Sequence, residues 1–457
     1  MTTETAAPST DPVVPPAPAG AIPTQPFSTA YTRYAMFLLL GIYIVNFLDR
    51  QVVNILAEPI KNDLGLADWQ LGLMSGLAFA IFYTVLGIPI ARLAERKNRP
   101  IIIGTAVAAW SGFTVLCGAA QNFVQLVLFR IGVGVGEAGC TPPAHSLIAD
   151  YVAKEKRASA LAFYSMGTPI GGLLGLIMGG LVADAYGWRM AFVVAGAPGI
   201  IFALLAWFTL KEPRKVMAQH AATIQANQAT FGDTLKHLLK KKTFWLIAFG
   251  AAIKAFIGYG HAPFTASFFL RVHGEEVASL AAIFNLKSIG FLGLALGLLA
   301  GIAGTISAWL GGQIADRFAK TDLRGYVVVP ALASLIAVPV YIVAVSVPSA
   351  TLALSILIIN GLLGSLWYGP VYAIGQSIVP AHMRATTSAI LLFIINLIGL
   401  GLGPLAVGII SDIMANGVGL GSAEGVRWAL IISTCFGVLA FLLFWIARKT
   451  IREEMES

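Results

Sequence analysis

The chain has 457 residues, 57% of them hydrophobic and 11% charged, with a mean hydropathy of +0.81. About a quarter of the residues of a soluble globule are charged, so a water-soluble fold is excluded. The formal charge of +8 does not argue for nucleic acid, because the cations stand in short clusters between apolar runs instead of along one stripe.

In chain order, the first thirty residues hold seven prolines among Ala, Thr and Ser. Such a stretch cannot bury enough apolar surface to fold, and residues 1–31 are expected to form a disordered tail. No basic stretch leads into an apolar one there, so a cleaved secretory signal is not expected. A hydrocarbon core of about 30 Å needs roughly 20 apolar residues per helix. Twelve stretches meet that demand, near 34–57, 70–93, 101–120, 123–149, 158–182, 189–210, 244–270, 281–315, 326–347, 351–379, 386–414 and 427–447. The expected fold is an all-α membrane protein with twelve transmembrane helices in two pseudo-symmetric six-helix bundles. The bundles span 32–210 and 244–448, with a linker over 211–243 and a tail over 449–457.

Twenty-two of the 30 lysines and arginines fall in segments on one side of the membrane, and four (Lys61, Arg189, Arg271 and Arg427) fall on the other. Cytoplasmic loops carry the excess of cations, so both termini are expected in the cytoplasm of a multi-pass protein, here of a bacterial inner membrane. The basic end of the linker, Lys236 to Lys242, suits anionic lipid rather than nucleic acid. Cys117, Cys140 and Cys435 sit in apolar stretches without ligand spacing, and neither metal nor cofactor is expected.

The two halves repeat. Sliding the chain along itself until Gly134 falls on Gly361 also sets Pro143 on Pro370, Arg157 on Arg384 and Ala158 on Ala385. Parallel halves about a central axis are the expected arrangement. The eighth stretch is longer than its counterpart around Asn285 to Gly297 and contains Lys287.

An ionised group near the bilayer centre costs about 3 kcal/mol on insertion scales, so it faces a protein interior or a water-filled cavity and marks function. Of 22 acidic residues, Asp49 in the first span and Glu137 in the fourth lie deep, each with a cation on its own helix, Arg50 and Arg130. Arg130 and Glu137 are almost two turns apart on one face, whereas Asp49 and Arg50 diverge by about 100° and must seek partners elsewhere. The four are expected to meet in a wet space between the bundles, where protonating a carboxylate unbalances the set and couples protons to transport. Asn46 and Asn54 stand four residues either side of Arg50 and would add neutral hydrogen-bonding groups, making Asn46, Arg50, Asn54, Arg130 and Glu137 the candidate substrate site. Gly132, Gly134 and Gly136 bare one side of the fourth helix, and Pro142-Pro143 and Gly167 to Gly172 interrupt regular helix. The loop holding Glu95, Arg96 and Arg99, with Asp316 and Arg317 in the second half, reads as a cytoplasmic gate. His145 and His261 read as packing residues and take no part.

These residues resemble a known family. Gly312-Gln-Ile-Ala-Asp316-Arg317 is similar to the loop motif of major facilitator transporters, and Arg130 to Gly136 to their Arg-x-x-x-Gly-x-Gly motif. The first loop copy departs from that form, with Ala91 for glycine and Glu95 for aspartate. Asn46-Phe-Leu-Asp49-Arg50 and Gly134-Val-Gly-Glu137-Ala138 resemble the spinster group, which includes exporters of lysophospholipids and sphingosine 1-phosphate. The resemblance implies that Asp49, Arg50, Arg130 and Glu137 form a proton-coupling and gating cluster, and that a monomer carries an amphipathic, lipid-like substrate by alternating access among membrane lipids. Proton-linked uptake of small organic anions is the alternative, and a non-transporting membrane sensor is one of another class. No histidine pair, Gly-x-Ser-x-Gly turn or phosphate loop supports an enzyme.

Overall fold

In the computed structural model, which describes residues 27–153, 156–215 and 231–455, twelve helices are long and apolar enough to cross a bilayer. They are Thr29–Leu64 (α1), Asp68–Ala94 (α2), Arg99–Gly118 (α3), Phe123–Tyr151 (α4), Ser159–Tyr186 (α5), Trp188–Thr209 (α6), Lys242–Val272 (α7), Ser288–Ala319 (α8), Gly325–Ser346 (α9), Ala350–Ser377 (α10), Thr386–Gly417 (α11) and Gly421–Ala447 (α12). Most of the proline-rich tail, the middle of the linker and Lys154 lie outside the described residues. The start of α1 is capped by Ser28, whose hydroxyl accepts from the Tyr31 amide, and its end turns at Gly65 with φ 65°.

The repeat read from the sequence is written into the helix irregularities. α4 is broken between Phe123–Glu137 and Thr141–Tyr151, and α10 between Ala350–Gly364 and Tyr368–Ser377. The two pieces of α10 start at the same offset from the two pieces of α4, the one that carries Gly134 onto Gly361. α2 carries a π-helical turn at Leu73–Leu77, and α8 carries its counterpart at Leu299–Ala303. Extra residues inside a helix bulge it and re-aim the turns beyond.

The eighth stretch departs from its reading. It is two elements: a surface helix, Gly274–Ile283, and α8, which starts at Ser288. Between them Asn285 takes φ 55°, a left-handed turn that asparagine tolerates. Lys287 is therefore not a charge within the span; its backbone N–H and its Nζ bind Asp184 at the end of α5. Apolar composition runs unbroken through the turn, so hydropathy does not reveal it.

The halves meet unequally along the axis. We call the side bearing the described chain ends the terminal face and the other the distal face. Toward the distal face one apolar core runs through both halves, joining Val52 and Leu71 to Phe264, Leu292 and Val407. Toward the terminal face the second half keeps a separate core around Phe244, Val371 and Phe444. α2 packs on α11 and α5 on α8 with backbones nearly touching: a Cβ on Gly72 would stand 2.2 Å from the Pro404 carbonyl, and one on Gly180 2.8 Å from the Gly293 Cα.

Polar groups seal the distal contact. Arg271 of α7 forks onto Glu58 of α1 (2.6 Å) and Asp68 of α2 (2.8 Å). Lys61 and the Ser411 hydroxyl of α11 also reach Asp68. The Asp412 carboxylate accepts the backbone N–H groups of Asp68 and Trp69, so α11 caps the first turn of α2.

Candidate functional site

The glycines of α4 place the charges. A Cβ on Gly134 would come within 2.7 Å of the Phe79 carbonyl, and one on Gly136 within 2.6 Å of the Trp110 amide. α2 and α3 therefore lie close against α4, and the Phe79 ring passes beneath two guanidiniums, 5.0 Å from Arg50 and 5.3 Å from Arg130. Arg50 also stands over Phe47 and Tyr83.

The structure brings together the four charges picked out in the sequence. Arg50 Nε donates to Glu137 Oε2 at 2.5 Å. Thr114 Oγ1 of α3 donates to Asp49 Oδ2 at 3.1 Å. Among the described residues, the second oxygens of Asp49 and Glu137, and Nε and Nη1 of Arg130, have no hydrogen-bond partner. Each such buried atom costs about 1–3 kcal/mol, so the set is not a saturated ion-pair network.

Its place differs from the expected wet space between the bundles. Asp49, Arg130 and Glu137 are buried within the first half among α1 to α4, and Arg50, with a side chain 14% exposed, is the member that reaches the surface. The close approach that Gly134 and Gly136 permit shuts the rest off. Asn46 is buried with neither amide atom partnered among the described residues, while Asn54 donates to Gln51 at 2.7 Å and faces a cavity.

That cavity, about 410 Å³, lies mainly in the second half. Its walls come from α7 to α10 and α12, with Gln51 and Asn54 of α1 at one side. They are largely apolar, interrupted by Lys254, His261, Asn360 and Tyr368. His261 is held by Ser433 (2.9 Å) and stacks on Tyr341. The sequence placed Lys254 in an apolar stretch without giving it a role, and nothing in it pointed to Phe79, Tyr83 or Thr114.

The residues read as a gate fall within single halves. Arg99 at the start of α3 binds Asp150 of α4 and Glu212 beyond α6, all in the first half. Asp316 accepts the Tyr326 hydroxyl in the second half (2.8 Å). Arg96 and Arg317 are exposed, and the side chain of Glu95 lies outside the description. The terminal-face ion pairs Arg99–Glu212, Arg99–Asp150 and Arg452–Asp322 each stay inside one half.

A family model, the Major Facilitator Superfamily, matches residues 39–404. An MFS-type efflux pump of Mycolicibacterium smegmatis is 31% identical, over 93% of this chain and 94% of its own. Protein spinster homolog 1 of Xenopus tropicalis is 28% identical, over 88% of this chain and 78% of its own. The crystal structure of a bacterial homologue of the human lysosomal transporter spinster, inward-facing and unoccupied, superposes with a TM-score of 0.84 at 34% identity, covering 94% of this chain and all of that one.

Proposed function

Since the chain belongs to the Major Facilitator Superfamily and is similar to its spinster group, we propose that it is a proton-coupled carrier of an amphipathic, lipid-like substrate, working by alternating access. It is a multi-pass membrane transporter and not an enzyme. The observation that carries the proposal is the buried, incompletely paired set of Asp49, Arg50, Arg130 and Glu137.

The four charges sum to zero when ionised. A proton on Glu137 releases Arg50 from its carboxylate partner, and Arg50 alone reaches the surface, so the freed cation can turn toward a ligand. A proton on Asp49 leaves Arg130 with one fewer carboxylate in its surroundings, and Thr114 then faces a neutral acid. Either event changes which packing of α1, α2 and α4 is preferred, which is the coupling a secondary carrier needs.

The apolar walls of the cavity suit a hydrocarbon chain, and its few polar groups suit a head. Leu299 lines both this cavity and an apolar groove of about 610 Å³ between α8 and α10, so a long chain has somewhere to extend. The excess of cations on the terminal face supports a cytoplasmic location for both ends. The sealed distal contact and separate terminal-face cores support an inward-facing state.

In liposomes with an imposed pH gradient, purified wild-type protein is expected to move a fluorescent lysolipid faster as the gradient grows. Asp49→Asn and Glu137→Gln should each abolish that dependence while each variant still binds the lysolipid. Gradient-driven flux equal to wild type in both variants refutes the coupling.

A further inference from the structure

The internal repeat places a cation at matching points of α1 and α7. Arg50 stands nine residues before Pro59, the proline inside α1, and Lys254 stands nine residues before Pro263, the proline inside α7. Their surroundings then diverge. Arg50 meets Glu137, the last residue before the break in α4. The repeat-related residue of α10, likewise the last before its break, is Gly364.

Lys254 is 8% exposed and lines the cavity. Among the described residues it has no ion pair and no hydrogen bond. His261, seven residues along the same helix, is engaged by Ser433 and supplies no negative charge. Gly364 lines the same cavity, and a Cβ built on it would meet nothing within 4 Å. The second half thus presents an ammonium to the cavity whose repeat-related counter-ion is missing, with open space where that counter-ion would stand. A cation in a narrow, largely apolar cavity is poorly solvated, and a ligand that brings the opposite charge offsets that penalty.

We infer that Lys254 is the seat of an anionic group on the ligand, a phosphate or carboxylate, which takes the place that Glu137 holds beside Arg50. This rests on the transport reading and narrows its substrate to an anion. Asn360 and Ser365 line the same space and can donate further hydrogen bonds to the anion's oxygens. The anion can belong to a single-chain lipid head or be free in solution.

Equilibrium binding to the purified full-length chain, with no pH gradient, tests this. The probes are radiolabelled palmitoyl lysophosphatidate, its neutral counterpart monopalmitoylglycerol, and inorganic phosphate as competitor. Lys254→Met should weaken lysophosphatidate at least about tenfold and leave monopalmitoylglycerol within about twofold; Lys254→Arg should hold both near wild type. Gly364→Glu, which supplies the internal counter-ion, should reproduce the loss seen in Lys254→Met. Competition by inorganic phosphate alone identifies a free anion, and competition only by chain-bearing phosphate identifies a lipid head; both support the assignment. Lys254→Met binding lysophosphatidate as the wild type does, or losing both lipids equally, overturns it. Because no gradient is present, failure of proton coupling at Asp49 and Glu137 leaves this result unaffected.

Discussion

Arg99 shows what a fully buried guanidinium demands. Its Nη1 binds Asp150 (2.6 Å) and Ser146 (2.9 Å), Nε binds Glu212 (3.1 Å), and its backbone N–H also donates to Glu212 (2.8 Å). Burial raises the Glu212 carboxyl, but the hydrogen bonds from Arg99 outweigh it and hold the group below the ordinary range. Arg99→Ala would strand the nearly buried carboxylate of Glu212, and a loss of about 3 kcal/mol is expected from unfolding in detergent. Arg99→Lys should recover only part of it, since an ammonium cannot fork. At this scale the sequence was half legible. A charge in an apolar run announces itself, so Asp49, Arg50, Arg130 and Glu137 stood out. That Lys254 has no partner depends on Gly364, on a helix far along the chain, and no local pattern carries that. The aromatic floor of Phe79 and Tyr83 was hidden for the same reason.

Helix ends are controlled from other elements. The Glu276 carboxylate, on the surface helix before α8, accepts the backbone N–H of Ala350 (2.6 Å) and Thr351 (3.1 Å) and the Ser349 hydroxyl (2.8 Å), capping α10. Those amide bonds, that of Ala350 first, hold its carboxyl at about 2. A depressed folded value means the contribution is fully present above the unfolded value of about 4.3 and disappears as pH falls through about 2. The amides of Ala350 and Thr351 should therefore exchange faster in Glu276→Gln than in wild type at neutral pH, and the difference should shrink as pH falls toward 2 and vanish below it. Hydrogen exchange read by mass spectrometry checks this. Twelve spans were visible because the bilayer dictates their length, and the repeat was visible because Gly and Pro recur at one offset. The split of the eighth stretch was not, because a single left-handed residue, Asn285, ends one helix without altering the apolar run.

For the whole molecule, the Arg271 fork joins the halves on the distal face through two carboxylates that belong to the first half. Arg271→Ala leaves Glu58 and Asp68 with Lys61 and the Ser411 hydroxyl on Asp68 but without the cation that bridges them, and the equilibrium is expected to shift toward the distal-open arrangement. Spin labels at Gln121 and Ser346, on a background without the three native cysteines, should report a longer distal distance population in that variant. An unchanged distribution rules the fork out as a restraint. The Asp412 cap has a separate consequence. The two amides at the start of α2 borrow their acceptor from a helix of the other half, so they lose it whenever the halves part and must turn to water. Under the proposed alternating access, each opening of the distal contact unprotects Asp68 and Trp69, and deuterium uptake at those two positions is expected to count openings in unlabelled, unmutated protein.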